Sequence, residues 1–144
     1  AGRLTDSVVR WGGEEFLLIA RNTGPDSAPV LARRIRQAFK RHVFEVSDGV
    51  KLQLTCSLGW ACYPFIPADC GVLSWEEVVG VADKALYAAK NSGRDSWVGV
   101  VSTAKTPEDY LYKLIRADVP GLLAAGELTV LASIEDHDSI EWDP

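Results

Sequence analysis

Methionine is absent from all 144 residues, and the chain opens on Ala1. The sequence is therefore expected to be a portion of a longer one. Cysteine is sparse: Cys56, Cys62 and Cys70 are odd in number, and their spacings match neither a zinc knuckle nor a CxxC pair. They read as reduced, mostly packed thiols, which suits a cytoplasmic protein. No apolar run approaches the roughly 18 residues that a membrane span requires. No signal peptide, internal repeat or low-complexity tract is visible. The formal net charge is only -5, from 15 basic and 20 acidic residues. So mild an acidity provides no global field for a nucleic acid polymer or an anionic membrane. Small anions can still bind where arginines and lysines cluster.

What is present is enough for one core. Apolar residues make up 47% and charged residues 24%, which excludes disorder over the whole chain. A chain of this length is hard to divide into two domains. Ser7 to Trp11 reads as a strand, Gly12-Gly13 as a turn, and Glu15 to Arg21 as a second strand, together a hairpin. Asp26 or Ser27 can cap a helix to about His42, with Val30, Leu31, Ile35, Ala38 and Phe39 on its apolar face. Val43 to Val46, the turn Ser47-Asp48-Gly49 and a strand-like run from Lys51 to Tyr63 follow, with Gly59 expected to kink that run. Ser74 caps a helix that reaches about Asn91, and Gly93 is placed to end it in a left-handed conformation. Trp97 to Val101 and Leu128 to Ile134 read as strands, Ser102 to Thr106 as a linker, Pro107 to Arg116 as a helix, and residues 135–144 as an acidic tail. This order implies a mixed α/β fold with an antiparallel part.

The chemistry concentrates at Gly12-Gly13-Glu14-Glu15-Phe16. Two glycines permit positive φ and leave no Cβ in the way of a phosphate. Two carboxylates follow at once, and hard oxygen ligands beside phosphate are what Mg²⁺ or Mn²⁺ needs. Alone, these five residues fit a solvated hairpin equally well. Lys90 and Arg94, four apart at a helix end, taken alone fit complementation of the helix dipole better.

The longer strings carry more. Val8-Val9-Arg10-Trp11-Gly12-Gly13-Glu14-Glu15-Phe16 resembles the signature of the GGDEF family of diguanylate cyclases, in its GGEEF form. Ala82 to Arg94 resembles the family's ADxALYxAKxxGR segment at every fixed position, and Thr55-Cys56-Ser57-Leu58-Gly59 its TxSxG segment. The resemblance covers about residues 3–101, and residues 1–101 are taken as the domain, lacking its first strand and helices. Residues 102–144 form an extension of unknown role. It implies a ferredoxin-like, nucleotidyl-cyclase-like antiparallel sheet flanked by helices. It implies that Gly12 and Gly13 contact GTP, that Glu14 and Glu15 are catalytic and hold the metal, and that Lys90 and Arg94 contact the phosphates. The product would be cyclic di-GMP, made by a homodimer that meets through its active-site faces.

Arg3-Leu4-Thr5-Asp6 lies at the register of the family's RxxD inhibitory site. An arginine can bond guanine O6 and N7 together, and an aspartate can accept from guanine N1–H and N2–H. With Arg34 from the next helix, Arg3 and Asp6 would bind cyclic di-GMP and inhibit. Alone, Arg3 and Asp6 fit a surface ion pair. A family domain begins before the hairpin, with a metal-binding aspartate and guanine-reading residues that this sequence does not contain. The gap would fall at a central strand and leave unpaired backbone and exposed apolar faces. Input domains of a larger sensor would also lie N-terminal. The rival readings are a non-catalytic cyclic di-GMP receptor and a purely structural dimerisation module.

Overall fold

The computed structural model describes residues 6–142. Strand β1, Ser7–Arg10, and strand β2, Phe16–Ile19, form an antiparallel hairpin in which Arg10 faces Phe16 and Val8 faces Leu18. Helix α1, Ala28–Arg41, follows with a proline in its first turn. Strands β3, Val43–Glu45, and β4, Lys51–Gln53, make a second hairpin. Its expected turn at Ser47-Asp48-Gly49 is present, with left-handed φ at Asp48 and Gly49.

The run from Lys51 to Tyr63 is not one strand. It splits into β4 and the separate strand β5, Leu58–Trp60, which joins a different sheet. Helix α2, Trp75–Asn91, is fixed at its start by a complete capping box: Ser74 Oγ accepts from the Glu77 N–H, and the Glu77 carboxylate accepts from the Ser74 N–H. Gly93 ends it at φ 107°, as the sequence implied. Strand β6, Trp97–Ser102, lies parallel to β5 and antiparallel to strand β7, Leu128–Ala132. Among the described residues the strands thus form three sheets, two antiparallel hairpins and one mixed sheet with a parallel β5–β6 pair, in keeping with a mixed α/β fold with an antiparallel part.

Two further expectations are corrected. Ser102 to Thr106 is not a free linker: Ser102 ends β6, and the Thr103 and Thr106 hydroxyls donate to the Gly126 and Glu127 carbonyls. The helix expected from Pro107 starts later, as α3, Leu111–Ala117, because Tyr110 takes a left-handed φ that no helix can pass through. A fourth helix, α4, Val119–Ala124, was not anticipated; Asp118 caps it by accepting from the Gly121 N–H at 2.9 Å.

One core serves α2, the β5–β6–β7 sheet and the C-terminal helices. Val81, Ala85, Ala89, Val98, Val100, Leu111, Ile115, Val119 and Leu128 meet in it. Gly59 lets β5 and α2 approach closely. A Cβ there would stand 2.1 Å from the Leu86 nitrogen and 2.2 Å from the Ala82 oxygen. The glycine of the TCSLG segment is therefore a contact requirement, not a kink. The hairpins differ. Val8, Trp11, Phe16 and Ile19 of the first, and Val43, Val50 and Leu52 of the second, are exposed. Helix α1 buries only Ala28 and Ala32; of its expected apolar face, Leu31 and Ile35 are half-buried, while Val30, Ala38 and Phe39 are exposed.

Candidate functional site

The tip of the first hairpin is closed from within. The Trp11 and Gly12 N–H groups both donate to the Glu15 carbonyl, at 2.9 and 3.2 Å. Neither Gly12 nor Gly13 takes a positive φ, which corrects the conformational argument for them. Their value is spatial. A Cβ on Gly13 would meet nothing within 4 Å, so the outer face of the turn is open for close approach. Gly13 donates no backbone bond among the described residues. Its carbonyl, and that of Gly12, are held from the side by Arg10, whose Nη2 and Nε donate to them at 2.8 and 3.3 Å. Sequence reasoning did not single out Arg10; its place directly before the turn was the available signal.

Lys90 reaches this tip from the last turn of α2, 75 residues away in sequence from Glu15. Its Nζ stands 2.8 Å from Glu15 Oε1 and 3.9 Å from Glu14 Oε1. Lys90 and Glu15 are largely shielded, whereas the Glu14 side chain is 83% exposed. The structure therefore assembles Gly12, Gly13, Glu14, Glu15 and Lys90 at one place. Arg94 lies just beyond the same helix end, exposed, with no ion pair among the described residues.

A neighbouring cluster was missed. Asp95 accepts from Arg36 Nε and from Lys40 Nζ, each at 2.8 Å. The hydrogen bond from Lys40, then that from Arg36, holds its carboxyl below the usual carboxylate range. Arg36 and Lys40 are four apart on α1, and that spacing was the readable sign. Cys56 lies near enough to Asp95 that the carboxylate, after burial, pushes its thiol up; burial alone pushes up Cys62. These two are half-buried thiols, while Cys70 is exposed and departs from the expectation of mostly packed cysteines.

The expected inhibitory constellation is described only in part. Arg3 lies outside the described residues. Asp6 Oδ1 accepts from the Arg21 N–H at 3.1 Å, and Arg34 is exposed on α1. A depression of about 490 Å³ bordered by Glu77, Tyr110, Tyr112, Lys113 and Arg116 shares no residue with the hairpin tip.

Residues 1–96 match the family model described as "Diguanylate cyclase, GGDEF domain". The chain belongs to the GGDEF family. This GGDEF segment is 37% identical over 93 residues to diguanylate cyclase A of Treponema denticola, and 40% identical over 93 residues to diguanylate cyclase DgcM of Escherichia coli K12. It is 30% identical over 93 residues to diguanylate cyclase DosC of the same organism. Each match takes in 65% of this chain but only 24%, 20% and 19% of those three relatives. The GGDEF segment thus spans a quarter or less of their lengths.

Glu14 and Glu15 are the carboxylates at the tip that could take part in holding a divalent cation, Glu15 being engaged by Lys90. Among the described residues no group of three or more His, Cys, Asp or Glu side chains could hold a metal. Two adjacent carboxylates on an open turn are instead the number with which a protein binds Mg²⁺ together with substrate phosphates. No described helix is long and apolar enough to cross a membrane.

Proposed function

We propose that the protein is a diguanylate cyclase that condenses two GTP molecules into cyclic di-GMP and two pyrophosphates. Each 3′-hydroxyl attacks the α-phosphate of the other GTP. Two P–O ester bonds form, and two P–O bonds to the pyrophosphate leaving groups break. The observation that carries this reading is Lys90 Nζ seated 2.8 Å from Glu15 at the GGEEF turn. That contact joins the two family segments into one charged site.

The residues divide the work. The bare surface of Gly12 and Gly13 admits the triphosphate, and the Gly13 N–H is available to donate to it. Lys90 is a point charge that neutralises Glu15 until phosphate oxygens compete for it. Arg94 supplies a forked donor to the same phosphates. Glu14, the more exposed acid, accepts the 3′-hydroxyl proton. Glu14 and Glu15 would hold Mg²⁺ or Mn²⁺ with phosphate oxygens, and the cation supplies neutralisation of charge developing in phosphoryl transfer. A site with its substrate held on one open turn needs a second such site facing it, so the working unit is a twofold homodimer. Arg3, Asp6 and Arg34 bind the product and hold the domains out of that arrangement.

Glu14→Gln in the intact protein, assayed with GTP and Mg²⁺, should lower cyclic di-GMP formation by about 10²- to 10⁴-fold. Nucleotide binding should remain measurable by calorimetry. A fully active variant would refute the role given to Glu14.

A further inference from the structure

Gly93, Arg94 and Asp95 take φ of 107°, 60° and 44°, three left-handed residues in succession directly after α2. Glycine does this freely, and aspartate tolerates it, but an arginine is penalised there. Such a run persists only where the surroundings hold it. Here the holding group is visible. Both oxygens of Asp95 are engaged, Oδ1 by Arg36 Nε and Oδ2 by Lys40 Nζ, each at 2.8 Å. On the other side the Arg94 N–H donates to the Ala89 carbonyl at 3.1 Å, and the buried Ser96 hydroxyl donates to that same carbonyl. Arg94 itself is left exposed between these two anchors, with its guanidinium uncommitted among the described residues.

We propose that Asp95 is a positioning residue for Arg94: the Arg36–Asp95–Lys40 clamp fixes the left-handed turn, and the turn aims the guanidinium at the triphosphate. The inference rests on the phosphate-binding role given above to Arg94. The physical reason is preorganisation. An exposed arginine on a free loop must lose its mobility on binding, whereas one on a clamped turn has already lost part of it. The clamp also ties that turn to α1, so a shift of the helix is transmitted to Arg94.

The test is calorimetric binding of 3′-deoxy-GTP with Mg²⁺ to the intact protein; this probe lacks the attacking hydroxyl and cannot turn over. Asp95→Asn keeps tolerance of the left-handed backbone, and Arg36→Gln with Lys40→Gln leaves the turn's own sequence intact. Each should raise Kd by about threefold to tenfold, the scale of two partly exposed ion pairs. Arg36→Lys with Lys40→Arg should bind within about twofold of wild type, since it keeps both charges. In the double variant Arg94→Ala with Asp95→Asn, the second change should add nothing to the first. A merely structural role would give additive effects on Kd instead. Wild-type binding by both clamp variants, or additivity with Arg94→Ala, overturns the positioning role while leaving the phosphate role standing. If Arg94→Ala alone binds as wild type, the phosphate role fails and the positioning role falls with it.

Discussion

Gly59 and Gly13 both belong to family segments, and their surroundings are opposite. At Gly59 the backbone of α2 stands where a Cβ would go, and the neighbouring residues Val81, Ala85 and Val98 are fully buried. At Gly13 there is open space. The same contrast separates the two regions around them. The α2–β5–β6–β7 unit is close-packed, and packed backbone cannot yield. The β1–β2 hairpin exposes Phe16 and Val8 at 65% and 68%, yet it carries the acids. The hairpin is thus the part free to admit a ligand, and α2 is the rigid element that delivers Lys90 to it. One side chain, Lys90, crosses from the packed region to the open one and meets Glu15 there.

Substitutions can sharpen or break that contrast. Gly59→Ala should cost about 3 kcal/mol or more, because the obstructing atoms are helix backbone; a urea melt showing a loss under about 1 kcal/mol would contradict the close approach. Ile115→Ala, at a side chain with no exposure, should cost about 3 kcal/mol. Phe16→Ala on the hairpin should cost less than about 1 kcal/mol. Equal losses for the two would abolish the distinction between the regions. Lys90→Gln should change stability by under about 1 kcal/mol, since the Glu14 end of its ion-pair cluster is solvent-exposed, yet weaken triphosphate binding measurably by calorimetry.

Asp95 gives a smaller, pH-dependent effect. Its carboxyl is held low in the folded state by Lys40 and Arg36. Its stabilisation is therefore complete above the unfolded value of about 3.9. It is lost as pH falls through the lower folded value. Asp95→Asn should lower stability at pH 7 by under about 1 kcal/mol, and the difference from wild type should shrink in strong acid. A difference that grows on acidification would contradict the clamp. Gly13→Ala should leave the urea midpoint almost unchanged, within about 0.5 kcal/mol, because nothing lies near the added methyl. Its cost should appear in GTP turnover.

Much of this was legible because it is local. Ser74 and Glu77 announce the start of α2, Gly93 its end, and Asp48-Gly49 the second turn. The GGEEF string named the acids, and the ADKALYAAK string named the lysine that the structure brings to them. What was hidden depends on partners distant in sequence. The strand-like run from Lys51 to Tyr63 carries Gly59 as its one break, and nothing in the run shows that it divides between two sheets. The amphipathic pattern of α1 implied a covered face, but covering needs a neighbour, and Val30 and Phe39 have little. The left-handed Tyr110 that delays α3 has no signature in its own type. Asp95 meets its partners on α1 across 59 and 55 residues. Arg10 was readable only as a charge before a turn, and its grip on the two glycine carbonyls is a matter of side-chain conformation.

The central claim is that adjacent acids at the hairpin tip share a divalent cation with a guanosine triphosphate. Mn²⁺ titrated into the intact protein with saturating 3′-deoxy-GTP, followed by electron paramagnetic resonance, tests it directly. The account predicts protein-bound Mn²⁺ that requires the nucleotide and disappears in Glu14→Gln with Glu15→Gln. Nucleotide-dependent Mn²⁺ binding that survives both substitutions would contradict it.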